Sequence, residues 1–209
     1  MRRLFSTYLA VALIGGAAQA KPMTFVVDDP GGRNVASFRS KAPIEVIVGS
    51  TNAVTGKITF DPSDLTQPAT AEIKVDLRQV DTGIELRNEH MRGADYLNTD
   101  QYPYASFTLN GPVSAAVGKL EYGSTTEVTL KGEFAIHGET RDLEIKGQVG
   151  FYPADKTLAE SGFPGEILTF DGRFMIKLGD FNIKRPQFLI MKLAEEQDIS
   201  ISFTAASGR

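Results

Sequence analysis

The feature that most constrains the fold of this chain is an alternation of apolar and polar side chains with a period of two. In residues 126–137 the large apolar side chains fall at every second position, apart from a glycine: Val128, Leu130, Phe134 and Ile136. Successive side chains of a β-strand point to opposite faces, so this pattern predicts a strand with one apolar face. The alternation recurs in residues 71–78, 142–151, 168–178 and 199–203, and more weakly in residues 25–28, 34–39 and 44–48.

Strands with one apolar and one polar face are typical of antiparallel sheets, because parallel sheets are usually covered on both faces. Eight to ten such strands either stack as two sheets or close into a barrel, and closure removes the edges that invite aggregation. We therefore predict an all-β fold, an antiparallel barrel of about eight strands. No internal repeat or Ser-rich linker marks a second domain, so residues 21–209 are expected to form one domain.

Residues 1–20 have the pattern of a secretory signal peptide. Arg2 and Arg3 precede an apolar stretch over residues 8–18, and the segment ends in Ala18-Gln19-Ala20. The apolar stretch is shorter than the roughly 20 residues needed to cross a bilayer, and no later stretch of that length lacks a charge. We expect export of the chain, cleavage after Ala20 and no transmembrane segment.

The composition excludes several kinds of chemistry. The chain has no Cys, so thiol catalysis, disulfides and Cys-ligated metals are ruled out, and its two His offer little for a metal site. There are 22 Lys and Arg against 26 Asp and Glu, a net charge of −4 without a basic block, which disfavours nucleic acid as a partner.

One segment interrupts the alternation. Thr82 and Glu85 have the spacing of a capping box, and residues 84–97 predict a short amphipathic helix near one end of the barrel. His90 of this helix is the candidate ligand for a metal or a haem, but no second His follows it at helical spacing. A His at the end of the barrel that makes a local hydrogen bond is the better interpretation. His137, beside Gly138, is expected to be a solvent-facing turn residue.

The predicted apolar faces carry almost exclusively Phe, Ile, Leu and Val. The interior of an eight-stranded barrel is about wide enough to be packed by its own side chains or to hold one small ligand. The alternation alone leaves both interpretations open.

A series of ordered motifs resembles the signature of the YceI-like polyisoprenoid-binding family. Its first blocks are Asp81-Thr82-Gly83-Ile84, Arg87-Asn88-Glu89-His90-Met91, Tyr96-Leu97, Tyr102-Pro103 and Phe107. The segments 130–141 and 174–181 are similar to a hairpin and to a strand with its turn in the same family, and the resemblance extends from about Val35 to Phe203. Asn88 stands where the family frequently has Asp.

The resemblance implies a lipocalin-like barrel in the bacterial periplasm whose lumen holds a long isoprenoid, of the polyprenyl phosphate or quinone type. It implies no enzymatic activity, no catalytic residue and no cofactor or metal, and it leaves open a homodimer and transient contact with a membrane. From the alternation, and from the helix with its motif, we expect two groups of ligand-binding residues: Phe107, Leu109, Phe134, Ile136, Phe170, Phe174 and Ile176 in the wall, and Arg87, Asn88 and His90 near the head group.

Two other functions remain open at this point. The first is a small-molecule enzyme, or a redox accessory linked to haem or quinone, that uses the region of His90. The second is a packed barrel without a ligand that acts as an interaction or stress protein.

Overall fold

The computed structural model of the protein describes residues 21–185, 187–188 and 191–209. The predicted signal peptide, residues 1–20, lies outside the described residues.

Most of the described chain is β-structure. The strands are β1 (Met23–Val27), β2 (Val35–Lys41), β3 (Val46–Thr51), β4 (Val54–Phe60), β5 (Pro68–Asp76), β6 (Tyr104–Pro112), β7 (Ser114–Ala115), β8 (Ser124–Ile136), β9 (Glu139–Tyr152), β10 (Ile167–Lys177), β11 (Gln187–Phe188), β12 (Met191–Lys192) and β13 (Glu196–Ala206). The helices are α1 (Glu85–Arg92) and α2 (Lys156–Glu160), with 3-10 turns at Leu77–Gln79 and Leu178–Phe181. None of the helices in these ranges is both long and apolar enough to cross a membrane.

Eight strands close into an antiparallel barrel in the order β1-β4-β5-β6-β8-β9-β10-β13. The closing pair is Val26 of β1 with Ala206 of β13. The hairpin of β2 and β3 extends one side of the barrel, because β2 continues along β13 where β1 ends, with Ala36 opposite Ile201. This closed antiparallel barrel confirms the fold predicted from the alternation.

The predicted apolar faces point into the barrel. Phe107 of β6 lies opposite Phe134 of β8, and Phe170 of β10 lies opposite Phe203 of β13. All four side chains are buried, and the rings of Phe170 and Phe203 are 5.3 Å apart between centroids. Each strand predicted from the alternation, including the three weaker candidates, overlaps a strand of the structure.

His137 lies in a turn, as predicted, but its side chain is only partly exposed to solvent. His137 and Gly138 form the two-residue turn between β8 and β9, with φ of 55° and 79°, as a type I′ hairpin requires. The His137 side chain is partly buried, and its Nδ1 lies 3.0 Å from the carbonyl oxygen of Phe181. Tyr102 packs against the imidazole at 5.1 Å between ring centroids. The imidazole therefore packs against Tyr102 and the segment that contains Phe181, while Gly138 of the same turn is exposed.

The predicted helix is shorter than expected and is not capped by Thr82. It begins after Ile84, which provides no side-chain hydrogen bond to the helix, and it ends at Arg92 because Gly93 is extended. The Thr82 hydroxyl instead donates to Oδ1 of Asn88 at 2.7 Å. The predicted capping box is thus replaced by a contact between the loop before the helix and the second turn of the helix.

Candidate functional site

The barrel encloses a cavity of about 880 Å³. This volume lies in the upper part of the range of about 300–1,000 Å³ that is typical of small-molecule sites in proteins. A packed barrel without a ligand would have an interior filled by its own side chains. The interior of this barrel is not filled in that way.

The wall of the cavity is formed by the inward-facing side chains of the strands. The seven wall residues predicted from the sequence all line it: Phe107, Leu109, Phe134, Ile136, Phe170, Phe174 and Ile176. Phe134 lies at the centre of an aromatic cluster, with ring centroids 5.5 Å from Phe174 and 5.6 Å from Phe181 in edge-to-face geometry. Such a wall can bind an apolar chain through hydrophobic contact and dispersion, but offers it no specific hydrogen bond.

Two loop leucines line the cavity at the end away from α1. Leu65 follows β4, and Leu120 lies between β7 and β8; both are buried. Their loops are tied together, since the Leu65 amide donates to the carbonyl of Gly118 and the Leu120 amide donates to that of Pro62, both at 2.8 Å. This closure could not be found from the sequence, because loop residues carry no periodic signal.

The other end of the cavity is lined by α1 and by the hairpin of β2 and β3. Arg87, His90 and Met91 line it from the helix, and Ile44 and Glu45 line it from the hairpin tip. Two backbone hydrogen bonds of 2.9 Å between Ser50 and Asp81 join β3 to the segment that leads into α1. The helix and the hairpin together therefore form the mouth of the cavity.

Exposed apolar side chains mark where the mouth meets solvent. Ile44 is 79% exposed and Leu86 is 61% exposed, yet both also line the cavity. Ile84 shares both properties, and Val46 and Val48 are exposed on the outer face of β3. We call these five residues the apolar rim. The weak strand signal over residues 44–48 indicated β-structure here but not the exposure of these side chains.

Arg87 is held in the mouth by three interactions. Its Nε donates to the Thr82 hydroxyl at 3.0 Å, and its Nη2 donates to the Thr82 carbonyl at 3.1 Å. Its Nη1 lies 3.2 Å from Oε2 of Glu45, which forms an ion pair across the mouth between helix and hairpin. The side chains are 25% and 52% exposed, so water screens this pair and its own contribution to stability is small.

Asn88, which we expected near the head group, does not line the cavity. Its side chain is buried, with 2% of its surface exposed, and its hydrogen bonds go to the loop before α1. An amide can accept and donate at once, and here it accepts from the backbone N–H of Thr82 while donating to Asp81. The residue positions the helix, and both polar atoms of its side chain already take part in hydrogen bonds with the loop.

The polar lining residues are few and lie mostly around the mouth. Besides Glu45, Arg87 and His90 they include Tyr96, which follows α1, and Gln197 at the start of β13. Within the described part of the chain, no group of three or more His, Asp or Glu side chains is placed to hold a metal ion. The arrangement suits a ligand with a long apolar portion and one polar end.

Comparison with known proteins gives the same picture of the fold. Among solved structures, Burkholderia cenocepacia BcnA matches with a TM-score of 0.65 and 21% identity, covering 86% of this chain and 100% of that one. A second match is described as a polyisoprenoid binding domain from Saccharophagus degradans implicated in plant cell wall breakdown. Its TM-score is 0.64 at 15% identity, and the match covers 88% of this chain and 99% of that one.

Sequence relatives extend over nearly the whole chain. Protein YceI of Shigella flexneri is 28% identical over 196 residues, covering 91% of both chains. A UPF0312 protein of Vibrio cholerae is 24% identical over 185 residues, covering 88% of this chain and 90% of its own. The family model described as the YceI-like domain matches residues 27–205. The chain therefore belongs to the YceI-like family.

Proposed function

We propose that this protein binds and carries a long-chain isoprenoid lipid in the lumen of its barrel. The observation that carries the proposal is the cavity of about 880 Å³ with a wall of Phe, Ile, Leu, Val and Ala side chains. Membership of the YceI-like family supports it, as does the structural similarity to a domain described as polyisoprenoid binding.

The distribution of polar groups sets the orientation of the ligand. An apolar chain gains about 0.8 kcal/mol for each buried CH₂ before ordering costs, so the tail is expected to occupy the deep apolar part between Phe134 and Leu65. The polar end of the lipid then lies at the mouth, beside Arg87, His90 and Tyr96.

The proposal needs no catalytic residue and no cofactor, because retention of the lipid follows from burial alone. A redox or enzymatic function would have to use His90, which lines the cavity. Metal analysis and the absorption spectrum of the purified protein distinguish this alternative, which predicts a bound metal or chromophore. It further predicts loss of an activity in the His90→Ala variant with the fold intact.

We also propose that the protein works in the periplasm, after cleavage of residues 1–20. The apolar rim supports transient contact with a membrane during lipid uptake, since its exposed apolar side chains lie at the mouth and on the adjoining outer face of β3. Cell fractionation and N-terminal sequencing test the location and the cleavage. Sedimentation with vesicles tests membrane contact, and sedimentation without vesicles tests whether the protein is a homodimer.

The direct test of the function is native mass spectrometry of the mature protein exported by a bacterial host, followed by extraction and tandem mass spectrometry of the lipid. We expect one isoprenoid molecule per chain. A protein that emerges empty, and that also fails to take up added quinones and polyprenyl phosphates, would contradict the proposal and leave the family resemblance as support for the fold alone.

A further inference from the structure

We propose that Glu45 makes the mouth of the cavity selective for lipids with an uncharged oxygenated head group, a hydroxyl or a carbonyl, and against lipids with a phosphate head group. This inference rests on the proposed function and assigns a specificity-determining role to one side chain. It arises from the charges that line the cavity.

The positive charge of Arg87 in the mouth is already paired with a carboxylate of the protein. Among the described residues that line the cavity, the only side chains of Asp, Glu, Lys or Arg are those of Glu45 and Arg87. These two form an ion pair with each other. All three guanidinium nitrogens of Arg87 donate to protein oxygens, two of them to Thr82. Lys184, beyond the C-terminal end of α1, is likewise paired with Asp95 at 2.6 Å.

A phosphate head group would meet unfavourable electrostatics in this mouth. A phosphomonoester carries a charge of about −1.5 to −2 at pH 7. It would lie beside the carboxylate of Glu45, and it could engage Arg87 fully only by breaking the existing pair. A juxtaposition of like charges opposes binding and so contributes to specificity.

A hydroxyl or carbonyl group meets no such repulsion. It can exchange hydrogen bonds with the Tyr96 hydroxyl and the His90 ring, both of which line the cavity, while the pair of Arg87 and Glu45 stays intact. Selection then comes from the charge of the head group and not from the tail, which the apolar wall accepts in either case.

The experiment compares farnesol with farnesyl phosphate, which share one isoprenoid tail and differ in the head group. Calorimetric titration gives the Kd of each for the unmodified mature protein, for Glu45→Gln and for Glu85→Gln. Glu85 is the matched control, because it is an exposed carboxylate on the same rim that does not line the cavity. Thermal unfolding of each variant verifies that the fold is retained.

We expect the unmodified protein to bind farnesol at least about fivefold more tightly than farnesyl phosphate. A fivefold ratio of the two Kd values corresponds to the largest interaction energies that are usual for exposed ion pairs. Glu45→Gln should strengthen binding of the phosphate by a similar factor and leave farnesol unchanged, whereas Glu85→Gln should change neither. In 1 M NaCl the preference of the unmodified protein should shrink.

Three results would overturn the inference while leaving the proposed function standing. They are equal affinities for the two ligands, no response of the phosphate ligand to Glu45→Gln, and an equal response in Glu85→Gln. Each would mean that the head group lies in solvent, outside the influence of Glu45. If the unmodified protein binds neither ligand, nor any other isoprenoid, the proposed function itself fails.

Discussion

The side-chain amide nitrogen of Asn88 donates to Oδ1 of Asp81 at 2.7 Å, and this bond fixes the start of α1 to the loop that precedes it. The same Asp81 oxygen accepts the backbone N–H of Gly83 at 2.8 Å, while Asp81 also bridges to Ser50 of β3. The mouth of the cavity is therefore held by one small polar network that joins helix, loop and hairpin.

This network explains why an amide suits position 88. In Asn88→Asp a carboxylate replaces the donor that faces Asp81, so two like charges would approach each other, one of them on a buried side chain. We expect the variant to lose about 2 kcal/mol of unfolding free energy at pH 7. Urea unfolding followed by circular dichroism measures this loss. Asn110→Asp, at an exposed position of β6, is the control; equal effects in both variants would argue against the network.

A close approach of two strands depends on Gly132. A Cβ at this position would collide with the carbonyl oxygen of Thr108 and lie 2.7 Å from Cζ of Phe107. Gly132→Ala should therefore push β6 away from β8 and cost about 2 kcal/mol, since overpacking of this kind typically costs about 1–3 kcal/mol. Gly111→Ala has open space around its Cβ and should be close to neutral in the same unfolding measurement.

The strands and the wall of the cavity could be predicted from the sequence because alternation reports directly which side of a strand is buried. Phe107 and Phe134 were each assigned to the apolar interior from the alternation in their own strand. In the structure they lie opposite each other on the neighbouring strands β6 and β8. The alternation says nothing of how much space is left between the inward side chains. The cavity itself could therefore not be distinguished from a packed core.

The helix at the mouth could be predicted, but the contacts that hold the mouth could not, because they join residues far apart in the sequence. Glu45 and Arg87 are separated by 42 positions, and nothing in either segment indicates the other. Thr82 had the spacing of an N-cap, but tertiary contacts gave its hydroxyl a different partner in Asn88. Asn88 was assigned to the head group through its neighbours Arg87 and His90, although its burial shows a role in positioning the helix.

Acid should destabilise the fold through its hydrogen-bonded carboxyls. The hydroxyl and backbone N–H of Ser63 lower the pKa of Asp61 below its ordinary value, and the Gly83 N–H and the Asn88 amide lower the pKa of Asp81 in the same way. A carboxyl whose pKa is lower in the folded state contributes stability above its unfolded pKa, and this stability is lost as the pH falls through the folded value. The Tm should thus be nearly constant from pH 7 to roughly pH 5 and fall below about pH 4.

The variant Asp61→Asn tests this origin of the acid sensitivity. It cannot ionise, so its Tm at pH 7 should be lower than that of the unmodified protein, and its decline below pH 4 should be shallower. Asp142→Asn, at an exposed position of β9, should reproduce the unmodified profile. Parallel profiles for the unmodified protein and Asp61→Asn would show that other groups cause the acid transition.

Filling the cavity should abolish lipid retention without unfolding the barrel. Ala71 of β5 lines the cavity between Ile58 and Leu109, its partners on the neighbouring strands. In Ala71→Phe the ring can enter the empty volume, so the usual cost of overpacking is largely avoided, while the ligand loses both space and wall contacts. We expect at least a tenfold loss of farnesol affinity with the Tm changed by no more than about 4 °C.

The control for Ala71→Phe is Thr70→Phe, where the same ring is placed on the outer face of β5 and should leave binding intact. If Ala71→Phe keeps its full lipid content by native mass spectrometry, the ligand does not occupy this part of the lumen.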